Sequence, residues 1–526
     1  MLEMPRKRTK TFLLSVACIS VSIVSSAGIF AEHARPNIIF IMTDQHRWDC
    51  IGANGNSIIK TPNLDRLAAG GANFTHAFVS SPVCVPSRIS FFTGRYSHSH
   101  RNRVNYTPLD RSEVLMQTRL KEAGYRTAAV GKLHYTPATP MEARRTGFDI
   151  VELHDSAEFT DRWSDYVKWR EDNDPRKHIK YRATAKNIEL GKNPFRAALD
   201  AEHTDTAWTG ARARHWLSEL ARDSSPFFLH VSFWKPHSPY EVAVPYDSMY
   251  DTVDIPIPDT VRAVPAEELP PPLLALAMRS GGLQIDRERI EWAYRSYYGT
   301  ISHVDHEIGL LLDALEKTGQ ASNTLIVFSS DHGDQLYEHG ITGKNCFFES
   351  SVRVPFMVSL PGRIKPARYD QLVESIDLLP SLFEFIGLTE PTSVQGRSFA
   401  PLIADMGRDY EPHEAVFSEN IIPEVITGGK LDMPFVKGEG VGGVRHPDAK
   451  MVRTSRWKYC YYPDGYAELY DLQADPLERT NLAERAEMRD VEFELRTRLL
   501  NWMINSTETD QIAPRWLTED AKNAPF

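Results

Sequence analysis

Four stretches of this chain are predominantly apolar, and each ends on a polar cluster. Pro36–Met42 runs into Thr43-Asp44-Gln45, and Tyr125–Val130 into Gly131-Lys132-Leu133-His134. Phe227–Ser232 leads to Lys235-Pro236-His237, and Thr324–Ser329 to Asp331-His332-Gly333-Asp334. A run without polar alternation fits a strand covered on both faces, as in a parallel sheet. Segments with helical signals separate these runs. Thr61–Ala69 has Pro62 in its first turn and Gly70-Gly71 behind it, and Leu115–Ala123 is closed by Gly124. Thr204–Ala221 follows. Glu291–Lys317 then carries Val304, Ile308, Leu311, Leu312 and Leu315 on one face, and Gly319 stops it. Pro355–Leu360 reads as a further strand. The alternation predicts an α/β fold, an α/β/α sandwich with a large mixed, mainly parallel sheet, over residues 35–405. Such sheets bind ligands beyond the carboxyl ends of their strands, so the polar clusters are expected to converge.

A further stretch belongs on the same face. The small and apolar residues Ala77–Val83 lead into Cys84-Val85-Pro86-Ser87-Arg88. Pro86 near the start and Gly94 just past the end frame a short helix. Cys84 then sits at a helix N-terminus, where unpaired N–H groups favour an anion, and Arg88 lies one turn further on. Beyond residue 402 the pattern changes. Val416, Val425 and Lys450–Tyr462 read as short strands, Thr427–Val444 as a Gly-rich loop, and Glu487–Asn505 as a helix. Residues 406–526 are therefore expected as a C-terminal subdomain.

Composition narrows the function classes. The net charge of −10 argues against nucleic acid as a main partner. Arg6, Lys7, Arg8 and Lys10 precede the apolar stretch Thr11–Val24 and the small residues Ser25-Ser26-Ala27, so residues 1–31 read as a secretory signal peptide. A secreted or periplasmic protein follows, with no membrane association after cleavage. Of the five cysteines, Cys18 lies in the signal and Cys84 in the helix start. Cys50, Cys346 and Cys460 leave room for one disulfide at most, with its partners open. Arg176–Arg196 holds seven Lys or Arg against one Glu189. It is either a solvated face or a guide for a polyanion, with Trp163, Tyr166 and Trp169 nearby to stack on sugar rings. His98, His100, Arg101 and Arg103 follow the Cys84 helix and are candidates for the same pocket.

Asp44 and Asp331 supply hard oxygen ligands at strand ends, which suits Ca²⁺ or Mg²⁺. Gln45 adds a carbonyl oxygen. His332 adds an imidazole, better matched to a softer metal or to an anion.

The string Cys84-x-Pro86-Ser87-Arg88, with Thr93-Gly94-Arg95 after it, resembles the signature of the type I sulfatases, in the alkaline-phosphatase-like superfamily. The resemblance extends from Pro36 to about Leu482, including Gly343-Lys344, Glu349 and Arg353-Val354-Pro355. It implies the sandwich predicted above and a small C-terminal α+β subdomain with an antiparallel sheet. It also implies that a formylglycine-generating or sulfatase-maturating enzyme oxidises Cys84 to formylglycine, and that a divalent cation, Ca²⁺ or Mg²⁺, is bound by Asp44, Gln45, residue 84, Asp331 and His332. Family members commonly have a second Asp where this chain has Gln45, and some have Asn where it has His332. The hydrated aldehyde attacks sulfur, and its second hydroxyl then expels sulfate. His237 matches the general acid and His134 the residue that takes the diol proton. Arg88, Lys132, Lys344 and Lys235 match sulfate-binding positions, with His332 close to the same group.

The expected activity is hydrolysis of sulfate esters on a sulfated carbohydrate, for example an algal polysaccharide such as ulvan. Two alternatives stay open. One is a phosphonate or phosphate diester hydrolase on the same scaffold. The other is a non-catalytic sulfated-glycan binding protein with Cys84 unmodified.

Overall fold

The computed structural model describes residues 35–105, 107–135, 139–155, 164–175, 193–262, 269, 273, 276–277, 286–421, 448–463 and 465–507. The signal segment, most of the basic run, Trp163, Val425 and the Gly-rich loop lie outside the described residues. Residues 36–526 make one compact unit.

Its centre is an eight-stranded sheet. In chain order the strands are β1 (Asn37–Asp44), β2 (Ala72–Phe78), β3 (Arg126–Gly131), β4 (Ile150–Leu153), β5 (Phe227–Pro236), β6 (Thr324–Ser330), β7 (Arg353–Ser359) and β8 (Ala367–Glu374). Their order across the sheet is β4-β3-β5-β1-β6-β7-β2-β8, and only β7 runs against its neighbours. The apolar runs have a direct cause. Alternate residues of β1 enter two different cores: Ile38, Phe40 and Met42 meet Val85, Ile89 and Phe92 on one face. Ile39 and Ile41 meet Leu217, Val304, Ile308 and Leu311 on the other. The first face is covered by α2 (Cys84–Thr93) and the second by α1 (Pro62–Ala69), α3 (Asp205–Leu220) and the long α4 (Arg287–Lys317). Helix α5 (Leu378–Ile386) joins α2 on the first face. β2, β4, β8 and α5 add to the elements read from the sequence. β8 is an edge strand whose first half is largely solvent-exposed, so it lacks the apolar signature of the centre.

A second, antiparallel sheet has the order β12-β11-β10-β9, from β9 (Ala415–Ile421), β10 (Asp448–Thr454), β11 (Trp457–Tyr461) and β12 (Ala467–Asp471). Helix α6 (Arg489–Ser506) lays Leu495, Leu499 and Trp502 on Val452, Tyr459 and Leu469 of this sheet. The two sheets share a core in which Phe78, Phe347 and Val352 pack with Val416, Met451 and Tyr462. Among the described residues no helix is long and apolar enough to cross a membrane. Cys50, Cys84, Cys346 and Cys460 are all buried free thiols, so the single disulfide left open by the sequence does not form among them.

Candidate active site

Strands β1, β3, β5 and β6 are parallel and adjacent, so their carboxyl ends deliver Asp44-Gln45, Lys132–His134, His237 and Asp331-His332 to one place. β2 lies on the same sheet, and the chain beyond it returns to start α2 at Cys84. Gly94 ends α2 with φ of 67°, a left-handed cap that glycine adopts without a Cβ clash. At the start of the helix the Val85 N–H is taken by Asn105 Oδ1 at 3.1 Å.

Cys84 is 1% exposed. Its Sγ lies 3.2 Å from His332 Nε2 and 3.0 Å from Lys344 Nζ. Burial and Asp44 push the thiol pKa up, but Lys344, Lys132 and His332 outweigh them and hold it below its ordinary value. The Asp44 carboxyl is held well below the usual range despite its burial, chiefly by Lys132 and then by His237, Lys344 and Arg88. Lys132 contacts Asp44 Oδ2 directly, and its ammonium sits 3.9 Å over the Trp234 ring. Arg88, fully buried, donates from Nε to Asp331 Oδ2 at 2.7 Å and from Nη1 to Lys132 O and Ser232 Oγ. Its Nη2 is 3.6 Å from Asp44 Oδ2 and is buried without a hydrogen-bond partner.

These residues fit a cation. Ligand atoms of Asp44, Cys84, Asp331 and His332 all lie within 4.8 Å of one another. Asp44 Oδ1 is buried without a hydrogen-bond partner, a cost that a metal ion would remove. His332 Nδ1 donates to Gly333 O at 2.9 Å, which leaves Nε2 directed at the cluster, 3.7 Å from Asp44 Oδ1 and 3.6 Å from Asp331 Oδ1. Burial opposes charge on this ring, but Asp331 raises its pKa. Gln45 holds a left-handed backbone, φ 68°, with its N–H on Asp331 Oδ1 at 3.1 Å.

Lys344 links the two sides of the site. Its Nζ lies 3.0 Å from Gln45 Oε1 and 2.9 Å from His237 Nε2, as well as against Cys84. His237 Nδ1 is anchored on Ser238 O, so its other nitrogen faces the site. Burial, then Lys344, lowers the His237 pKa well below the ordinary value. His134 is also left-handed, φ 57°, and its backbone N–H is held by Asp155 Oδ1. Burial and the Lys132 and Arg88 charges lower its pKa, and its Nδ1 is buried without a partner.

Lys235 is the one residue of the expected set that the structure leaves apart. Its ammonium goes to Pro239 O at 2.8 Å and Glu241 Oε2 at 3.1 Å, in a neighbouring cleft lined by Trp234, Tyr166 and His154. Tyr166 is fully buried against Trp208 and His154, so it offers no open platform for a sugar. The residues after α2 hold the C-terminal sheet and helix rather than the pocket. His98 bridges Glu419 and Ser506, Arg103 pairs with Asp448 and Glu419, and His100 bonds Ser90 Oγ. A second group of potential ligands, Glu374, Asp377 and His413, is closed by hydrogen bonds from Tyr96, Phe417 N and Arg397 N.

The sulfatase family profile matches residues 36–388. The chain belongs to the sulfatase family, and its relatives named as sulfatases are sulfuric ester hydrolases. An arylsulfatase of Clostridium perfringens (strain 13 / Type A) is 31% identical over 87% of this chain and 92% of its own length. An ulvan-active sulfatase of Formosa agariphila is 29% identical over 89% of this chain and 81% of its own. Among solved structures, the phosphonate monoester hydrolase of Agrobacterium radiobacter superposes with a TM-score of 0.75 at 27% identity, covering 90% of this chain and 96% of that one.

Sequence reasoning placed Asp334 in the polar cluster after Ser329 without a role of its own, and it missed Trp234 and Tyr240. Asp334 and Trp234 stand beside motif residues, three positions after Asp331 and one before Lys235. Their roles depend on side-chain direction, which spacing alone does not give.

Proposed function

We propose that this chain is a secreted or periplasmic, formylglycine-dependent sulfatase that removes sulfate from a sulfated carbohydrate. The observation that carries the reading is one cluster. The Cys84 sulfur at a helix N-terminus meets Asp44, Asp331 and His332 inside a ring of Arg88, Lys132 and Lys344. Formylglycine in place of Cys84 would supply, as its hydrate, a nucleophilic hydroxyl at the centre of this cluster. A divalent cation held by Asp44, Gln45, residue 84, Asp331 and His332 supplies charge stabilisation at that hydroxyl and at the sulfate oxygens. Two carboxylates and an amide oxygen suit Ca²⁺ or Mg²⁺, and the imidazole extends the choice to Mn²⁺.

The chain's own residues do the rest. Lys132 and Lys344 bind sulfate oxygens, and Arg88 holds Asp331 while its free Nη2 adds positive charge. Before reaction the Lys344 ammonium donates to the unprotonated His237 Nε2, and the proton for the departing alcohol oxygen passes along this contact as negative charge develops there. His134, with a buried unpartnered Nδ1, would accept the proton given up at residue 84 in the second half of the reaction. Lys235 borders the cleft beside Trp234, a position suited to a remote part of the substrate.

The likeness to the ulvan-active sulfatase supports a polysaccharide-derived substrate. The Gln45 and His332 ligands and the likeness to the phosphonate monoester hydrolase support a second reading, hydrolysis of phosphonate or phosphate diesters. A panel of defined sulfated oligosaccharides, with an aryl phosphonate monoester and a phosphodiester beside them, separates the two. The first reading requires the highest kcat/KM on a sulfated oligosaccharide. A higher value on the phosphorus esters replaces it with the second.

A further inference from the structure

We infer that Asp334 is a positioning residue that fixes which end of the Gln45 amide faces the metal site; the inference rests on the metal-dependent reading above. Asp334 is fully buried and accepts four hydrogen bonds. Its Oδ1 receives the Leu336 N–H at 2.8 Å and the Gly343 N–H at 2.9 Å. Its Oδ2 receives Gln45 Nε2 at 2.6 Å and the Tyr240 hydroxyl at 2.8 Å. The other end of the Gln45 amide, Oε1, accepts from Lys344 Nζ at 3.0 Å.

This arrangement admits one orientation. Turning the amide over would set its NH₂ against the Lys344 ammonium and its oxygen against the Asp334 carboxylate, two repulsive contacts at a buried amide. The oxygen is therefore presented to Lys344 Nζ, which also touches Cys84, on the side where a cation needs a donor. An aspartate at position 45 would have no N–H to offer Asp334. A carboxylate at 334 and an amide at 45 are thus a matched pair. The Asp334 backbone has a second duty: its carbonyl oxygen accepts from Arg47 Nη1 at 3.0 Å, and Tyr297 donates to the Gln45 carbonyl at 2.6 Å. The left-handed Gln45 backbone is held by these contacts while Asp334 sets the side chain.

The test uses the direction of that match. In Asp334→Asn the side-chain oxygen stays on the Leu336 and Gly343 N–H groups, because only an acceptor fits there. The new NH₂ then faces Gln45 Nε2, donor against donor, and the amide loses the acceptor that anchors its oxygen toward the site. The full-length protein is stripped with a chelator, and Ca²⁺ and Mn²⁺ are titrated separately by calorimetry. Asp334→Asn is expected to weaken binding about 10–100-fold, the usual cost of losing an outer partner of a metal ligand. Tyr240→Phe keeps the carboxylate and is expected to bind within a few-fold of the parent. In a Gln45→Glu background the effect reverses: Asp334→Asn now offers an NH₂ to a carboxylate and tightens binding. A loss of packing would weaken binding in both backgrounds, so the change of sign is the signature of positioning. The double variant keeps the charge count of the parent and serves if the single variant does not fold. Equal affinity of the parent and Asp334→Asn, or the same sign in both backgrounds, overturns the inference alone. A parent that binds neither ion overturns the metal reading as well, and the two failures are told apart in the parent titration.

Discussion

The Lys344 ammonium stands 3.0 Å from the Cys84 sulfur, although the two residues are 260 positions apart. From there it also reaches His237 Nε2, so a single cation touches both the proposed nucleophile position and the proposed acid. Burial would lower its pKa, but Cys84, Asp44 and Asp331 raise it, and the charge persists. Replacing Lys344 by Ala removes a donor aimed at developing negative charge. The expected loss in kcat is about 10²–10³-fold, with thermal stability little changed, measured by steady-state kinetics beside a melting curve.

His237→Ala separates acid catalysis from binding. Loss of a proton donor costs about 10²–10⁴-fold on sulfate esters of ordinary sugar alcohols. An aryl sulfate with a strongly acidic phenol needs no such proton, and its kcat is expected to fall far less. Equal losses on both substrates would remove His237 from the acid role.

Arg88 tests how much of the site is also structure. It is fully buried and sits between Asp331 and Asp44. Arg88→Ala leaves two carboxylates facing each other without it, and breaking a buried pair costs about 3–5 kcal/mol. Calorimetric or denaturant unfolding of the variant reads this directly. A loss below about 1 kcal/mol, the range of an exposed pair, contradicts the described packing.

The joint between the sheets carries a pH dependence. Burial would lower the His413 imidazole, but the Asp377 carboxylate 2.9 Å away raises it from 6.5 to about 9. Its stabilising contribution is complete below pH 6.5 and disappears as pH rises through 9. Glu374, raised by burial to about 7, loses its own contribution earlier in the same rise. Between pH 7.5 and 9, stability is expected to fall on the order of 2 kcal/mol, and His413→Gln to flatten the curve. An unchanged slope in that variant would assign the effect elsewhere.

Much of this was legible in the sequence where one strand carries both its burial and its chemistry. Asp44 and Asp331 follow apolar runs, and parallel neighbours bring their ends together. Cys84 was legible from its helix start and the resemblance its motif carries. β8 was not, because half of an edge strand faces solvent and loses the alternation that marks a core. The clamp between Gln45 and Asp334 was also hidden, since it depends on which amide end points where. His98 and Arg103 misled for a related reason: a cationic run reads as an anion pocket until Glu419 and Asp448 are seen to face it. Lys235 sits two positions before His237, yet its ammonium pairs with Glu241.

The most direct test is the chemical state of residue 84. The protein is produced with a formylglycine-generating enzyme, digested, and the peptide spanning residues 84–88 is weighed and treated with a carbonyl-reactive hydrazide. The account predicts an aldehyde that forms a hydrazone, with sulfate release proportional to its fraction and abolished in Cys84→Ala. A peptide that carries only the intact thiol, from protein that still turns over sulfate esters at full rate, would contradict it.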